Sequence, residues 1–284
     1  MITWYKKYSS ILRASIIMAL EYKASSIVGL FAIFTGLLIE YLVWDMIYSP
    51  SNFTINIPDN VSIINDNIFI NDLSFEALIV TIFLSMIVGQ LKSSWVTSFE
   101  MIMQIRQGFM NQYIVKPISF FSYNLMNFIG SNILFYIPYS LLIIILPIIF
   151  PDLIFINFIQ IPFFILAVIM SIYLSYSIYF FMVCFAFWFG EVRALLAAYN
   201  ISMFVLAGQI IPIDFFPDYY VQIKNYTPIP YLIKFPVDMA MAIEINFNQW
   251  SYMILIGLFW CFVMKALGEL LYSIGIKRYE AYGS

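Results

Sequence analysis

The chain contains no histidine and only two cysteines, and just 10% of its 284 residues are charged. Each shortage excludes something. Without histidine, the commonest metal ligand and the usual proton shuttle near neutral pH are gone, and with them every membrane enzyme that depends on one. Soluble chains carry about a quarter charged residues, so a sequence that is 63% hydrophobic with a mean hydropathy of +0.91 belongs in a bilayer. Cys184 and Cys261 each fall inside an apolar run and read as small packing residues, not as a disulfide framework. The net charge of −3 gives no reason to expect a nucleic-acid partner. No Gly-x-x-x-x-Gly-Lys-Ser/Thr stretch is present, so the chain carries no phosphate-cradling loop of that kind.

What is there in quantity is apolar sequence without charge. The runs Ile27–Leu38, Ile79–Val88, Ile133–Phe150, Ile161–Phe189, Leu195–Ile211 and Met253–Met264 lack acidic and basic side chains. With their flanks most reach the roughly 20 residues needed to cross hydrocarbon, which predicts about six transmembrane helices in one all-α polytopic domain over residues 1–284. The span centres hold no acidic or basic residue; Glu40, Glu76, Lys265 and Glu269 fall near ends, where side chains snorkel. The N-terminus, Met1–Arg13, has a basic flank but no compact apolar core or small-residue cleavage site, and is expected to be retained.

The basic residues fall on one side if the spans alternate. Lys6, Lys7, Arg13 and Lys23 precede the first span, Lys92, Arg106 and Lys116 follow the second, Arg193 follows the fourth, and Lys265, Lys277 and Arg278 end the chain. Only Lys224 and Lys234 lie opposite. Residues 45–74 contain Asp45, Asp59, Asp66 and Asp72 but no lysine or arginine. By the positive-inside rule both termini are cytoplasmic and 45–74 is an external loop, whose Pro50, Pro58 and repeated asparagines favour turns or short strands. Asn52, Asn60 and Asn225 match the glycosylation acceptor pattern, a weak signal in an Asn-rich chain.

Three segments are patterned for more than crossing. Residues 1–24 place Tyr8, Leu12, Ile16 and Ala19 on one helical face and Lys6, Ser9 and Arg13 on another, as in an interfacial helix. Between Phe99 and Lys116, Ile102, Ile105, Phe109 and Tyr113 recur at helical spacing opposite Glu100, Gln104, Gln107 and Asn111, a pattern that serves equally for resting on headgroups or docking a partner. Pro117 ends it, because the residue before proline avoids helical geometry. After the fifth span, Pro212, Pro217, Pro228, Pro230 and Pro236 forbid a continuous helix. Tyr219, Tyr220, Tyr231, Leu232, Ile233 and Phe235 are too apolar for a solvated loop, so a broken, re-entrant pair over 208–247 is expected.

Two of these segments carry a family resemblance. Ile105-Arg106-Gln107-Gly108 followed by Val115-Lys116-Pro117-Ile118-Ser119, and Gly208-Gln209-Ile210-Ile211-Pro212-Ile213-Asp214-Phe215-Phe216-Pro217, resemble the permease subunit of type-2 ATP-binding-cassette exporters. So does the tail over 272–284, where Gly275-Ile276-Lys277-Arg278-Tyr279-Glu280 is similar to the end of one permease subfamily. The resemblance implies that 98–117 forms a cytoplasmic coupling helix, with Ile105, Arg106, Gly108, Lys116 and Pro117 against the ATPase and the two cations facing acidic groups there. It implies that Gly208, Ile211, Pro212, Phe215, Phe216 and Pro217 form an external gate. It further implies a second permease subunit, identical or related, and a cytoplasmic ATPase dimer that binds ATP and Mg, leaving this chain no cofactor and no catalytic residue of its own. The setting would be a bacterial plasma membrane. Phe185, Phe187, Trp188 and Phe204 are candidates to line an apolar path, and the charge-poor interior suits a hydrophobic or amphipathic cargo such as a drug, antimicrobial peptide or lipid. Glu191 and Arg193, in the short turn after the fourth span, could pair with each other or with the amphipathic helices, and a local charge pair is the reading preferred. Two other classes remain. A secondary transporter would need coupling-ion ligands, and an intramembrane hydrolase or acyltransferase a paired nucleophile and base; neither arrangement is visible.

Overall fold

The computed structural model describes residues 4–279 except 22, 49–60, 65–66, 71–72, 116–117, 152, 155–159, 212, 218, 221, 223–225 and 242–246. Helix α1 (Trp4–Glu21) is followed by α2 (Lys23–Ile47), and α3 (Phe75–Leu91) by α4 (Trp95–Arg106) and the short α5 (Asn111–Val115). Next come α6 (Phe120–Ser131) and α7 (Ile133–Ile149), the central α8 (Gln160–Val183), α9 (Ala186–Phe189) and α10 (Arg193–Leu206). After the broken segment lie α11 (Lys234–Ala240) and the long α12 (Phe247–Gly275). Between α2 and α3, strands β1 (Val61–Ile64), β2 (Asn67–Ile70) and β3 (Leu73–Ser74) form an antiparallel meander in which Val61 faces Ile70 and Phe69 faces Ser74. The acceptor asparagines at 52, 60 and 225 lie outside the described residues.

Three helical stretches among the described residues are long and apolar enough to cross a membrane, Phe75–Arg106, Gln160–Phe189 and Asn248–Arg278. Helices α6 and α7, bent by 58° where they meet at Asn132, make a fourth if the pair is one span, so the described residues hold three or four such stretches where about six are expected. Helix α2, at 25 residues, has the length as well. The fifth expected span is shorter than its apolar run. Helix α10 has 14 residues, a rise of about 21 Å, because Gly208 at φ +79° takes the left-handed conformation that closes a helix. The amides of Gln209 and Ile210 both return to the Phe204 carbonyl at 3.2 Å.

Glycine and serine let the helices approach closely. A Cβ at Gly130 of α6 would sit 2.5 Å from Ser15 Cβ and 3.0 Å from the Leu12 carbonyl of α1, so the two backbones are nearly in contact. Helix α1 turns Tyr8 and Ser15 inward and leaves Lys6, Ser9 and Arg13 exposed. On α12, a Cβ at Gly257 would meet Met170 at 2.3 Å and one at Gly268 would meet Phe180 at 2.6 Å, which seats α12 against α8. Both cysteines line this seam and are free; Cys184 Sγ donates weakly to the Gly268 carbonyl at 3.6 Å and Cys261 Sγ to that of Met170 at 3.7 Å. Aromatic rings complete the core. Phe121 meets Tyr176 and Phe180 edge-on at 5.0 Å, Phe120 stacks on Tyr272 at 5.4 Å, and the buried Tyr176 hydroxyl donates to the Phe121 carbonyl at 2.8 Å. Tyr272, placed in the tail by the sequence reading, thus belongs to the helical core, since α12 continues to Gly275.

Candidate functional site

The expected coupling helix is two helices with a turn between them. Helix α4 continues the membrane stretch and ends at Arg106; Gly108, at φ +83°, reverses the chain; α5 then runs from Asn111 to Val115. Only glycine takes that backbone conformation without a Cβ clash. Because the helical period breaks at 107–110, the expected apolar face splits. Ile102, Ile105 and Tyr113 are buried, but Phe109 is 55% exposed and Met110 takes the inward place. The Tyr113 hydroxyl donates to Gln104 Oε1 at 2.9 Å and ties α5 to α4, and burial pushes that phenol up, keeping it a neutral donor. Lys116 and Pro117 lie outside the described residues.

Arg106 does not stand free. Its Nη1 donates to Glu191 Oε2 in the turn after α9. Glu191 Oε1 in turn accepts from Arg193 Nε and from the Arg193 backbone amide, each at 3.1 Å. The Arg193 guanidinium also lies 5.6 Å from the Phe99 ring centre. The local pair expected at Glu191 and Arg193 is therefore one half of a cluster that reaches α4, and Arg106 meets an acidic group of its own chain.

The tail comes to the same place. Gly275 packs on Phe187 so closely that a Cβ would sit 2.5 Å from the ring, and Tyr279 meets Phe187 edge-on at 6.4 Å. Ile105, Arg106, Trp188, Gly190, Arg278 and Tyr279 share the walls of an open cavity of about 360 Å³. Three segments far apart in sequence thus form one surface with Arg106, Glu191, Arg193 and Arg278 on it.

The other candidate region is at the far end of α10. Gly208 leaves room that Ile213 fills, since a Cβ would sit 2.8 Å from Ile213 Cγ1. Gln209 is buried against α3 at Gly89, where a Cβ would lie 2.7 Å from its Oε1. A 3-10 turn covers Ile213–Phe215, and Phe215 meets Trp44 of α2 at 5.6 Å. Phe216 packs on Tyr220 at 4.8 Å, and the Tyr220 hydroxyl donates to the Leu206 carbonyl at 2.5 Å. Ile211 and Pro217 are exposed, and Pro212 lies outside the described residues. Beyond, Tyr231, Leu232, Ile233 and Phe235 are buried, with the Leu232 carbonyl accepting from Ser171 Oγ of α8 at 2.5 Å. Lys234, one of the two cations that lie opposite the other basic residues, is paired with Asp238 at 3.3 Å. Around Pro230 and Pro236 the chain is thus buried in protein, the condition for irregular backbone at membrane depth.

The four aromatics proposed to line a path occupy two places. Phe185, Phe187 and Trp188 lie in the turn beside the cytoplasm-assigned surface, whereas Phe204 lies near the other end of α10, about 16 Å further along its axis from Arg193. Among the described residues, no group of three or more His, Cys, Asp and Glu is placed to hold a metal. The bond between Arg106 and Glu191, which are 85 residues apart, is the alternative left open for Glu191, a partner in the amphipathic segment; the seat of Gln209 on Gly89 was missed.

A helical polytopic membrane protein with apolar crossings, a charged surface at one end and a broken segment at the other is built as the membrane component of a transport system. The sequence profile of the ABC-2 family transporter proteins matches residues 60–283, and the chain belongs to that family. Its members are the transport permease components of ABC systems, which implies an ATPase partner. No curated protein matches the chain.

Proposed function

We propose that this chain is the membrane-spanning subunit of an ATP-driven exporter that moves a hydrophobic or amphipathic cargo, such as a drug, antimicrobial peptide or lipid, out across a bacterial plasma membrane. It works with a second permease, identical or related, and with an ATPase dimer that holds ATP and Mg. Both termini are cytoplasmic. The observation that carries this reading is the surface built by the α4–α5 turn, the 184–193 turn and the 276–279 tail, because a push on it moves α4, α8 and α12 together. Gly275 on Phe187 and Glu191 between two arginines make these segments one body. Motion there passes along α8 and α12 to the buried 231–235 segment, which Ser171 ties to α8. Ile210–Pro217, Gly208 and Phe216 stand beside it as the exit.

The test is co-purification of the native complex, identification of its ATPase, and reconstitution in vesicles. Export should stop when that ATPase loses its phosphate-binding lysine, and should persist with ATP when the proton gradient is dissipated. Cargo movement driven by a proton gradient, with this chain and no ATPase, would overturn the proposal in favour of a secondary transporter.

A further inference from the structure

Away from both regions, a cavity of about 450 Å³ opens where α3 breaks into α4 and α6 bends into α7, with α1 as its third wall. Its volume lies in the roughly 300–1,000 Å³ range of small-molecule sites. Unlike the apolar groove between α2, α3 and α7, it is lined by many polar side chains, several of them hydrogen-bonded to one another. Ser15 Oγ donates to Asn127 Oδ1 at 2.9 Å, and Asn127 Nδ2 donates to Glu100 Oε2 at 3.0 Å. Ser131 Oγ and Asn132 Nδ2 both donate to the Phe128 carbonyl, at 3.1 and 2.9 Å. Asn127 and Asn132 each keep a second N–H, and Gln90, Ser93 and Thr97 add further amide and hydroxyl groups, so the wall offers donors and acceptors alike and owes its charge to Glu100. Glu100 is the one charged residue on the wall and takes part in no ion pair among the described residues.

A cavity whose one charged side chain is a carboxylate favours a cation, and a carboxylate accepts hydrogen bonds from a cation that carries N–H. The remaining lining, Trp95 and Phe135 among it, is apolar and aromatic and suits a chain or ring attached to that cation. We propose that this cavity binds the primary ammonium head of an amphipathic molecule, with the head on Glu100 and Asn132 and the apolar part along Trp95 and Phe135. The molecule is either an aminophospholipid of the bilayer or an amphipathic amine carried as cargo; the chemistry of recognition is the same. This inference does not depend on the direction or energy source of transport.

The permease, purified with its ATPase, would be titrated with short-chain phosphatidylethanolamine, short-chain phosphatidylcholine and dodecylamine, and bound species counted by native mass spectrometry. Ethanolamine lipid should bind at least about tenfold more tightly than choline lipid, whose head has no N–H, and dodecylamine should displace it. Glu100→Gln should weaken both amines by about tenfold or more, and Gln90→Glu, which adds a second carboxylate to the wall, should tighten both severalfold. If dodecylamine is moved by ATP in vesicles, the occupant is cargo; if it is not moved and ethanolamine lipid stays bound, the occupant is a lipid. Equal binding of choline and ethanolamine lipid overturns the proposal. So does an unchanged affinity in Gln90→Glu together with Glu100→Gln, both running as folded protein on gel filtration.

Discussion

Glu191 is the lone acid between two guanidiniums, and this makes the cytoplasm-assigned surface testable by charge exchange. The Arg106 and Glu191 side chains are 41% and 45% exposed, so the pair is screened and contributes roughly 0.2–1 kcal/mol to stability. Arg106→Gln removes that one pair. Glu191→Gln removes two, since Arg193 also leans on it, and should destabilise by roughly 0.4–2 kcal/mol. Neither loss unfolds a membrane protein, so a collapse of function in either variant reports on the surface and not on folding. Arg106→Glu sets two carboxylates face to face, and should abolish ATPase association or uncouple hydrolysis while the permease still inserts. The exchange Arg106→Glu with Glu191→Arg rebuilds the 106–191 pair, although it leaves 191 and 193 both cationic. Association measured with purified ATPase should then return to within about threefold of wild type, less than 1 kcal/mol. If the exchange is no better than Arg106→Glu alone, Arg106 acts on the partner directly and the in-chain pair is incidental. Wild-type association and transport in Arg106→Glu would remove this segment from the coupling path altogether.

Gly208→Leu should impair transport more than insertion, since the residue is held at φ +79° against Ile213 and a side chain there is destabilising by roughly 2–4 kcal/mol locally; equal loss of folded protein and of transport, measured by quantitative blotting beside cargo flux, would argue for a structural role instead. A cysteine at Ser62 should react with an impermeant thiol reagent on intact cells and one at Ser284 should not, against a low background because both native cysteines are buried; the reverse labelling sinks the topology. Gly130→Val should push α1 off α6, as its Cβ would begin 2.5 Å from Ser15 Cβ, and should lower thermal stability by about 1–3 kcal/mol; an unchanged melting profile would show that α1 is not seated as described.

How much of this was legible depended on whether the signal was periodic or spatial. The inward face of α1 and the burial of Leu232, Ile233 and Phe235 follow from spacing and composition, because burial of an amphipathic face or an apolar loop is decided locally. The coupling segment defeated the same reasoning at Gly108. One residue at positive φ interrupts the phase of the helix, so Phe109 emerges and Met110 enters, and a pattern read as 18 continuous residues from Phe99 to Lys116 was two shorter ones. The Glu191 bridge, the Gly130 and Gly257 close approaches and the polar wall around Glu100 join residues from different helices. Their residue types are ordinary alone, and only packing gives them a joint meaning.

The bend at Asn132 carries a consequence for the lipid around the protein. Helix α7 has 17 residues, a rise of about 26 Å against a hydrocarbon thickness of about 30 Å. Its axis departs from that of α6 by 58°, and the side chain of Asn132 secures the Phe128 carbonyl at the corner. A straight crossing meets a thicker or thinner bilayer by changing its tilt as a whole. A jointed one changes the angle between its two limbs, and mismatch of a few ångströms, at fractions of a kcal/mol for each, is taken up at the joint. The corner at which a jointed crossing meets a mismatch in thickness also forms a wall of the Glu100 cavity.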